Sequence, residues 1–394
     1  MKNIISRRKL LKSSLILGCS AAAFPLMTPI TLANAPGDNR LVVIILRGGM
    51  DALDVIQPYG DKNLSQMRNR IKIGEAAGAF DLNGFFALNK HLADLMPLWK
   101  NQQLAFAHAV STPYRDKRSH FDGQDFLENG GSAKSGSLTK EGDGWLNRLL
   151  SLMPNTSSTT AFSVGRQRLL ILEGKVQTSS WSPDSDLDLS PQAQLLLKKL
   201  YEGDQLFASS AKTAVELSEK MNSKMGAGRA ARATALAQFT AERLNEETRI
   251  ASFSIGGWDT HRNQNNTLTR ALKELSSAIL TLKKSLGKNW DKTAILAMSE
   301  FGRTVRENGT AGTDHGTGGA MFMAGGAIRG GKVYGDWPSL GEGDLYENRD
   351  LMPTSDMRSY AASAISSLFD IKKSALETKI FPSLDMGAGQ NIIL

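Results

Sequence analysis

Beyond residue 37 the apolar residues fall into short unbroken runs, each closed by glycine or a polar turn. Leu41-Val-Val-Ile-Ile-Leu46 is rich in β-branched side chains and has no polar position. That pattern predicts a central strand buried on both faces and paired in parallel. Leu104 to Val110, Ala161 to Val164 and Arg249 to Ile255 read as further strands, and Ala320 to Ala324 as another candidate. Leu268, Leu272, Leu275, Ile279, Leu282 and Leu286 recur at intervals of three and four, the stripe of an amphipathic helix. Gly287 ends that helix, and Thr293 to Met298 follows as one more buried strand. Strand, helix and strand in succession make a crossover whose two strands run parallel. The fold class that follows is α/β, with a mainly parallel sheet between helices.

The pattern changes from about residue 190 to 245. Ser190-Pro191 suits a cap and a first helical position, and long segments rich in Ala, Leu, Lys and Glu follow. This predicts a helical insertion, broken internally at Gly226-Ala-Gly-Arg. Gln177 to Leu189, rich in Ser and Asp, reads as a surface loop, and no internal repeat of fixed period is present.

Residues 1–35 read as an export signal rather than part of the fold. Ser6-Arg7-Arg8-Lys9-Leu10-Leu11-Lys12 fits the twin-arginine pattern, an uncharged stretch from Ser13 to Gly37 follows, and Ala33-Asn34-Ala35 offers small residues for cleavage. Pro25 and Pro29 argue against a stable membrane-spanning anchor. Periplasmic or secreted location is the expectation, with one α/β domain over 36–394. The single cysteine, Cys19, lies inside the signal, so a processed chain has neither disulfides nor thiolate metal ligands. Five basic residues and no acidic one fall in 1–35, which lowers the formal net charge from +8 to +3 for the remainder. Charge therefore gives no case for nucleic-acid binding.

The chemistry concentrates in a few polar clusters at the ends of predicted strands. Five histidines serve the whole chain. Two stand in Gly-Gly-Trp-Asp259-Thr-His261 and Gly-Thr-Asp314-His315-Gly. Met-Ser299-Glu300-Phe-Gly-Arg303 follows an apolar strand, and Arg-Gly-Gly-Met-Asp51 follows the first one. In an open α/β sheet, ligands bind beyond the carboxyl ends of the parallel strands, so these loops are expected to converge on one pocket. Carboxylates and imidazoles without thiolates suit a divalent transition metal. Asp259 and Thr260 could instead cap the next helix, Asp314-His315 could be a hydrogen-bonded turn, and Glu300 could take its cation from a metal or from Arg303. Arg118-Ser119-His120 opens a predicted helix whose amides, with Arg118, favour an anion facing Ser119; a plain Ser cap is the alternative. His91 reads as a helix-start residue and His108 as a satisfied core imidazole.

These motifs, in this order behind a twin-arginine signal, resemble the exported bacterial family of domain of unknown function 1501, over essentially all of the chain after the signal. That family is grouped with the alkaline phosphatase and sulfatase-like superfamily. The resemblance implies an alkaline-phosphatase-like fold and a site for one or two divalent metals. Asp51 matches the superfamily's first metal ligand, and Ser119 the nucleophile position. Asp259, His261 and His315 match the ligands of one metal, while Glu300 falls where ligands of a second occur. The spacing of Asp259 and His261 is tighter than in the phosphatases, Ser299-Glu300 replaces their Asp-His pair, and the sulfatases' cysteine nucleophile motif is absent.

The function these features imply is hydrolysis of phosphate or sulfate esters in the cell envelope. Zn²⁺ is the first choice of metal, with Mn²⁺, Ca²⁺ and Mg²⁺ as alternatives. Asp51, Asp259, His261, Glu300 and His315 would hold it, Ser119 or a water would attack, and Arg118 or Arg303 would clamp a small anionic ester or glycan. A non-catalytic envelope protein of the same fold, binding a glycan or protein partner, is the competing expectation.

Overall fold

The computed structural model describes residues 37–115, 117–134, 137–139, 142–167, 169–182 and 229–394. The proposed signal, Cys19 and most of the expected insertion lie outside them.

A nine-stranded sheet organises these residues. Its strands are β1 (Arg40–Arg47), β2 (Leu104–Ser111), β3 (Ala161–Val164), β4 (Ser179–Trp181), β5 (Ile250–Gly256), β6 (Thr293–Met298), β7 (Gly319–Ala324), β8 (Val333–Tyr334) and β9 (Ser355–Asp356). The order is β8-β2-β7-β6-β1-β5-β3-β4, with β9 also paired to β2. β1 lies between β5 and β6 and runs parallel to both. β3 and β4 continue in the same sense, as do β8 and β9 beside β2. β7 alone runs against its neighbours β6 and β2.

Among the helices are α1 (Ala52–Val55), α2 (His120–Asn129), α3 (Trp145–Leu150), α4 (Arg229–Leu244), α5 (Gln264–Leu286) and α6 (Met357–Phe369), with other short helices between them. Alternation along β1 explains its unbroken apolar sequence. Val42, Ile44 and Leu46 enter one core with the stripe of α5 and with Leu236, Phe239 and Leu244 of α4. Leu41, Val43 and Ile45 enter another with Trp145 and Leu149 of α3 and Tyr360, Ala361 and Ile365 of α6. Period-two alternation sends successive side chains to opposite faces, so both must be apolar when helices cover both. The expected crossover is present: α5 leads from β5 to β6, and its strands are parallel with β1 between them.

Two expectations change in detail. The segment read as a loop from Gln177 contains the edge strand β4, which exists by pairing with β3. Of the expected insertion, only α4 is described, and it packs against α5 in the first core. His91 lies in a short 3-10 helix capped by Asn89. His108 is buried, with Nε2 3.0 Å from the Ile56 carbonyl and Nδ1 accepting from the Ala109 amide at 2.9 Å. Among the described residues no helix is long and apolar enough to cross a membrane.

Candidate metal centre

Four strands deliver polar loops to one edge of the sheet. β1 ends in Gly48-Gly49, β5 runs into Asp259 and His261, β6 runs into Ser299 and Glu300, and β2 leads to the start of α2 at His120. Because β7 is antiparallel, its leading end lies at the same edge and brings Asp314 and His315 there. The two glycines allow the β1 end to close on the site. Gly48 (φ +128°) lies so near that a Cβ would strike the Asp259 amide, and one on Gly49 (φ +71°) would meet the Phe301 ring.

Three imidazoles meet around Asp259. His261 Nε2 is 3.0 Å from Asp259 Oδ1, His315 Nε2 is 3.2 Å from the same oxygen, and His120 Nε2 is 3.5 Å from Oδ2. The ligand atoms of His120, Asp259 and His315 all lie within 4.8 Å of one another. His261 Nε2 and His315 Nε2 are 3.0 Å apart. On the far side of each ring, Nδ1 meets an acceptor: Glu300 Oε1 at 2.8 Å for His120, Asp314 Oδ1 at 2.9 Å for His261, and the Arg118 carbonyl at 2.9 Å for His315. A carboxylate or carbonyl can only accept, so each Nδ1 donates, and whenever a ring is neutral its Nε2 lone pair turns inward. Bare lone pairs at such separations repel unless a proton or a cation joins them. The His120 Nε2 is buried without a hydrogen-bond partner.

The electrostatics favour a cation. Asp259 and then Glu300 lift the His120 pKa to about 9. Burial pushes Asp259 up, but His120, His315 and Arg303 prevail and hold its carboxyl far below the usual range. Burial likewise opposes Glu300 and Asp314, which are nevertheless held below their ordinary values, chiefly by His120 and His261 respectively. The field that keeps a proton on His120 would equally hold a divalent ion against its Nε2. The cluster opens on a cleft of about 490 Å³ whose walls include Arg47, Phe121, Gln124 and Gln167.

The sequence-predicted residues divide. Asp259, His261 and His315 come together, and Glu300 stands one layer behind them, buried and bonded to His120. Asp51 does not join them. It is fully buried in a bidentate pair with Arg68, at 2.7 and 2.9 Å, and also caps α1. Arg303 has no N–H directed to a substrate: its guanidinium bonds the carbonyls of Gly48, Gly49, Trp258 and Thr313 and the Asp259 carboxylate, and its Nη1 lies 3.5 Å from His261 Nε2. The Arg118 side chain turns to Glu347 and Asp350 instead of an anion site. Ser119 precedes α2 but its hydroxyl makes no cap bond, while its amide donates to Tyr114 Oη at 2.8 Å. Asp259 does not cap α5, whose first residue follows Asn263.

Sequence reasoning missed His120 as a ligand candidate, although the motif containing it was singled out. It missed Arg68 altogether. Position at a helix start beyond a strand end was the available signal for His120.

The family model described as protein of unknown function (DUF1501) matches residues 38–380. No match was found among curated protein sequences. Among solved structures, the C-terminal periplasmic domain of EcEptC from Escherichia coli is similar at 9% identity and a TM-score of 0.40, over 89% of this chain and 87% of that one. A protein in the alkaline phosphatase superfamily from Vibrio parahaemolyticus is similar at 14% identity and a TM-score of 0.38, over 85% and 68%. The lipoteichoic acid synthase LtaP from Listeria monocytogenes is similar at 8% identity and a TM-score of 0.38, over 88% and 76%. By the match over 38–380, the chain belongs to the DUF1501 family.

Proposed function

We propose that this chain is an exported hydrolase of phosphate or sulfate esters, dependent on a divalent metal held by His120, Asp259, His261 and His315. One observation carries the reading: three imidazoles each have Nδ1 engaged by an acceptor and Nε2 aimed at one carboxylate. Metal-binding histidines are fixed in this way, the outer acceptor setting the tautomer and raising ligand basicity. A donor set of three nitrogens and one oxygen suits Zn²⁺, with Mn²⁺ as an alternative. When bound, such an ion polarises an ester oxygen and lowers the pKa of the attacking group.

The chain's own residues do the rest. Glu300, Asp314 and the Arg118 carbonyl hold the rings in place. Arg303 balances the charge of Asp259 without exchanging with solvent. Ser119, half-buried at the start of α2 with its hydroxyl free of capping, is the candidate nucleophile. The cleft beside His120 takes the remainder of the ester. Export by the twin-arginine signal belongs to the same proposal: replacing Arg7 and Arg8 together by Lys leaves precursor in the cytoplasm.

The test is metal content after purification from the cell envelope, with a screen of phosphate mono- and diesters and sulfate esters. The expected result is bound Zn²⁺ or Mn²⁺ and cleavage of at least one ester class, both lost in His261→Ala and His315→Ala. A stable metal-free wild type inert to every ester overturns the reading and favours a binding protein.

A further inference from the structure

We infer that the centre takes a single metal ion, because Arg303, Arg68 and neighbouring amide and imidazole donors already serve the oxygens that a second ion would need. This rests on the metal reading above and concerns its stoichiometry. A second divalent ion at this edge would draw on the carboxylates of Asp51, Asp54 and Glu300 and on the carbonyls that end β1 and β5. Each is already engaged.

Asp51 accepts at Oδ1 from the Leu53 amide (3.2 Å) and Arg68 Nη2 (2.9 Å), and at Oδ2 from Arg68 Nη1 (2.7 Å) and Gln264 Nε2 (2.5 Å). Asp54 accepts from the amides of Asn89 (3.0 Å) and Gln57 (3.3 Å) at one oxygen and of Gln264 (2.9 Å) at the other. Glu300 Oε1 takes the Gly48 amide and His120 Nδ1, both at 2.8 Å, and Gln124 at 3.1 Å, while Oε2 lies 3.1 Å from Ser299 Oγ, whose one hydrogen it shares with the Leu46 carbonyl at 2.8 Å. All three carboxylates are buried. The carbonyls of Gly48, Gly49 and Trp258 accept from Arg303 at 2.9, 2.8 and 3.2 Å.

An ion at Asp51 or at the carbonyls must displace a buried guanidinium, leaving that cation without its partners in the interior, and one at Asp54 or Glu300 must displace buried amide or imidazole donors. By contrast the imidazole Nε2 lone pairs face one another across Asp259. Arg303 therefore supplies a permanent positive charge beside a single exchangeable one.

The experiment strips the mature full-length chain with a chelator and titrates it with Zn²⁺, and separately Mn²⁺, against a chromophoric competitor. Metal retained after gel filtration is counted by elemental analysis. The expected result is one tight equivalent per chain, reduced to none in His315→Ala. Asp51→Asn, where folded, keeps that equivalent. Two tight equivalents in the wild type overturn the inference and leave the metal reading standing. No tight equivalent for either ion overturns both.

Discussion

Two polar regions share one edge of the sheet and differ in whether their donors and acceptors balance. In the buried layer, Gln264 gives its amide hydrogens to Asp51 and Asp54 and accepts from Thr260 and Thr313, both at 2.8 Å, while Arg68 neutralises Asp51. Every group there has a partner. In the cluster nearer solvent, three imidazole Nε2 atoms gather on Asp259, to which Arg303 donates, and His120 Nε2 is buried without a hydrogen-bond partner. Both regions arose from motif residues of the same kind. A carboxylate or imidazole is open to a ligand where the cations and donors of the fold leave one of its lone pairs unserved.

The largest effect separating the regions is expected at Asp51. Asp51→Ala leaves Arg68 buried and unpaired, which costs about 3–5 kcal/mol in comparable buried pairs. Denaturant unfolding should show that loss, while the folded fraction binds metal as the wild type does. A variant of wild-type stability that no longer binds metal would place Asp51 in the metal centre and break the comparison.

His108 sharpens the comparison among imidazoles. The Ala109 amide donates to its Nδ1, so a proton there would face a donor instead of an acceptor. Burial holds its pKa at about 4 against an ordinary 6.5. Folding therefore favours the neutral ring. Its stabilising contribution is complete above pH 6.5 and is lost as pH falls toward 4, by up to about 3 kcal/mol. Unfolding of chelator-stripped protein at pH 7 and pH 4.5 measures this. His108→Gln should flatten the acid limb, and an unchanged limb would assign it to other groups.

Much of the scaffold was legible because burial on both faces leaves an unmistakable apolar run, as in Leu41–Leu46 and Thr293–Met298. The α5 stripe was legible for the same reason. The antiparallel direction of β7 was not, since hydrophobicity carries no sense of direction. The strands β4, β8 and β9 are only two or three residues long and owe their form to neighbours. α6 escaped notice because Ala and Ser recur through Met357–Phe369 and blur its apolar face. At the site, loop position foretold the meeting of Asp259, His261 and His315. It could not foretell that Glu300 would turn His120 inward or that Arg68 would claim Asp51, because both contacts join distant segments.

The smallest change in stability is expected at Ser119, where structure and chemistry separate most cleanly. A working Ser cap contributes about 1 kcal/mol. Ser119 has the extended backbone of a cap (φ −90°, ψ 125°), yet its hydroxyl bonds no helix amide. Ser119→Ala should therefore unfold within about 0.5 kcal/mol of the wild type, as substitutions without a lost contact usually do. Its metal content should also be unchanged, since no ring of the cluster depends on the hydroxyl. If Ser119 attacks the ester, turnover falls by orders of magnitude against that unchanged background. A loss near 1 kcal/mol with turnover intact identifies a cap. Turnover retained in Ser119→Ala but abolished in His261→Ala assigns the attack to water.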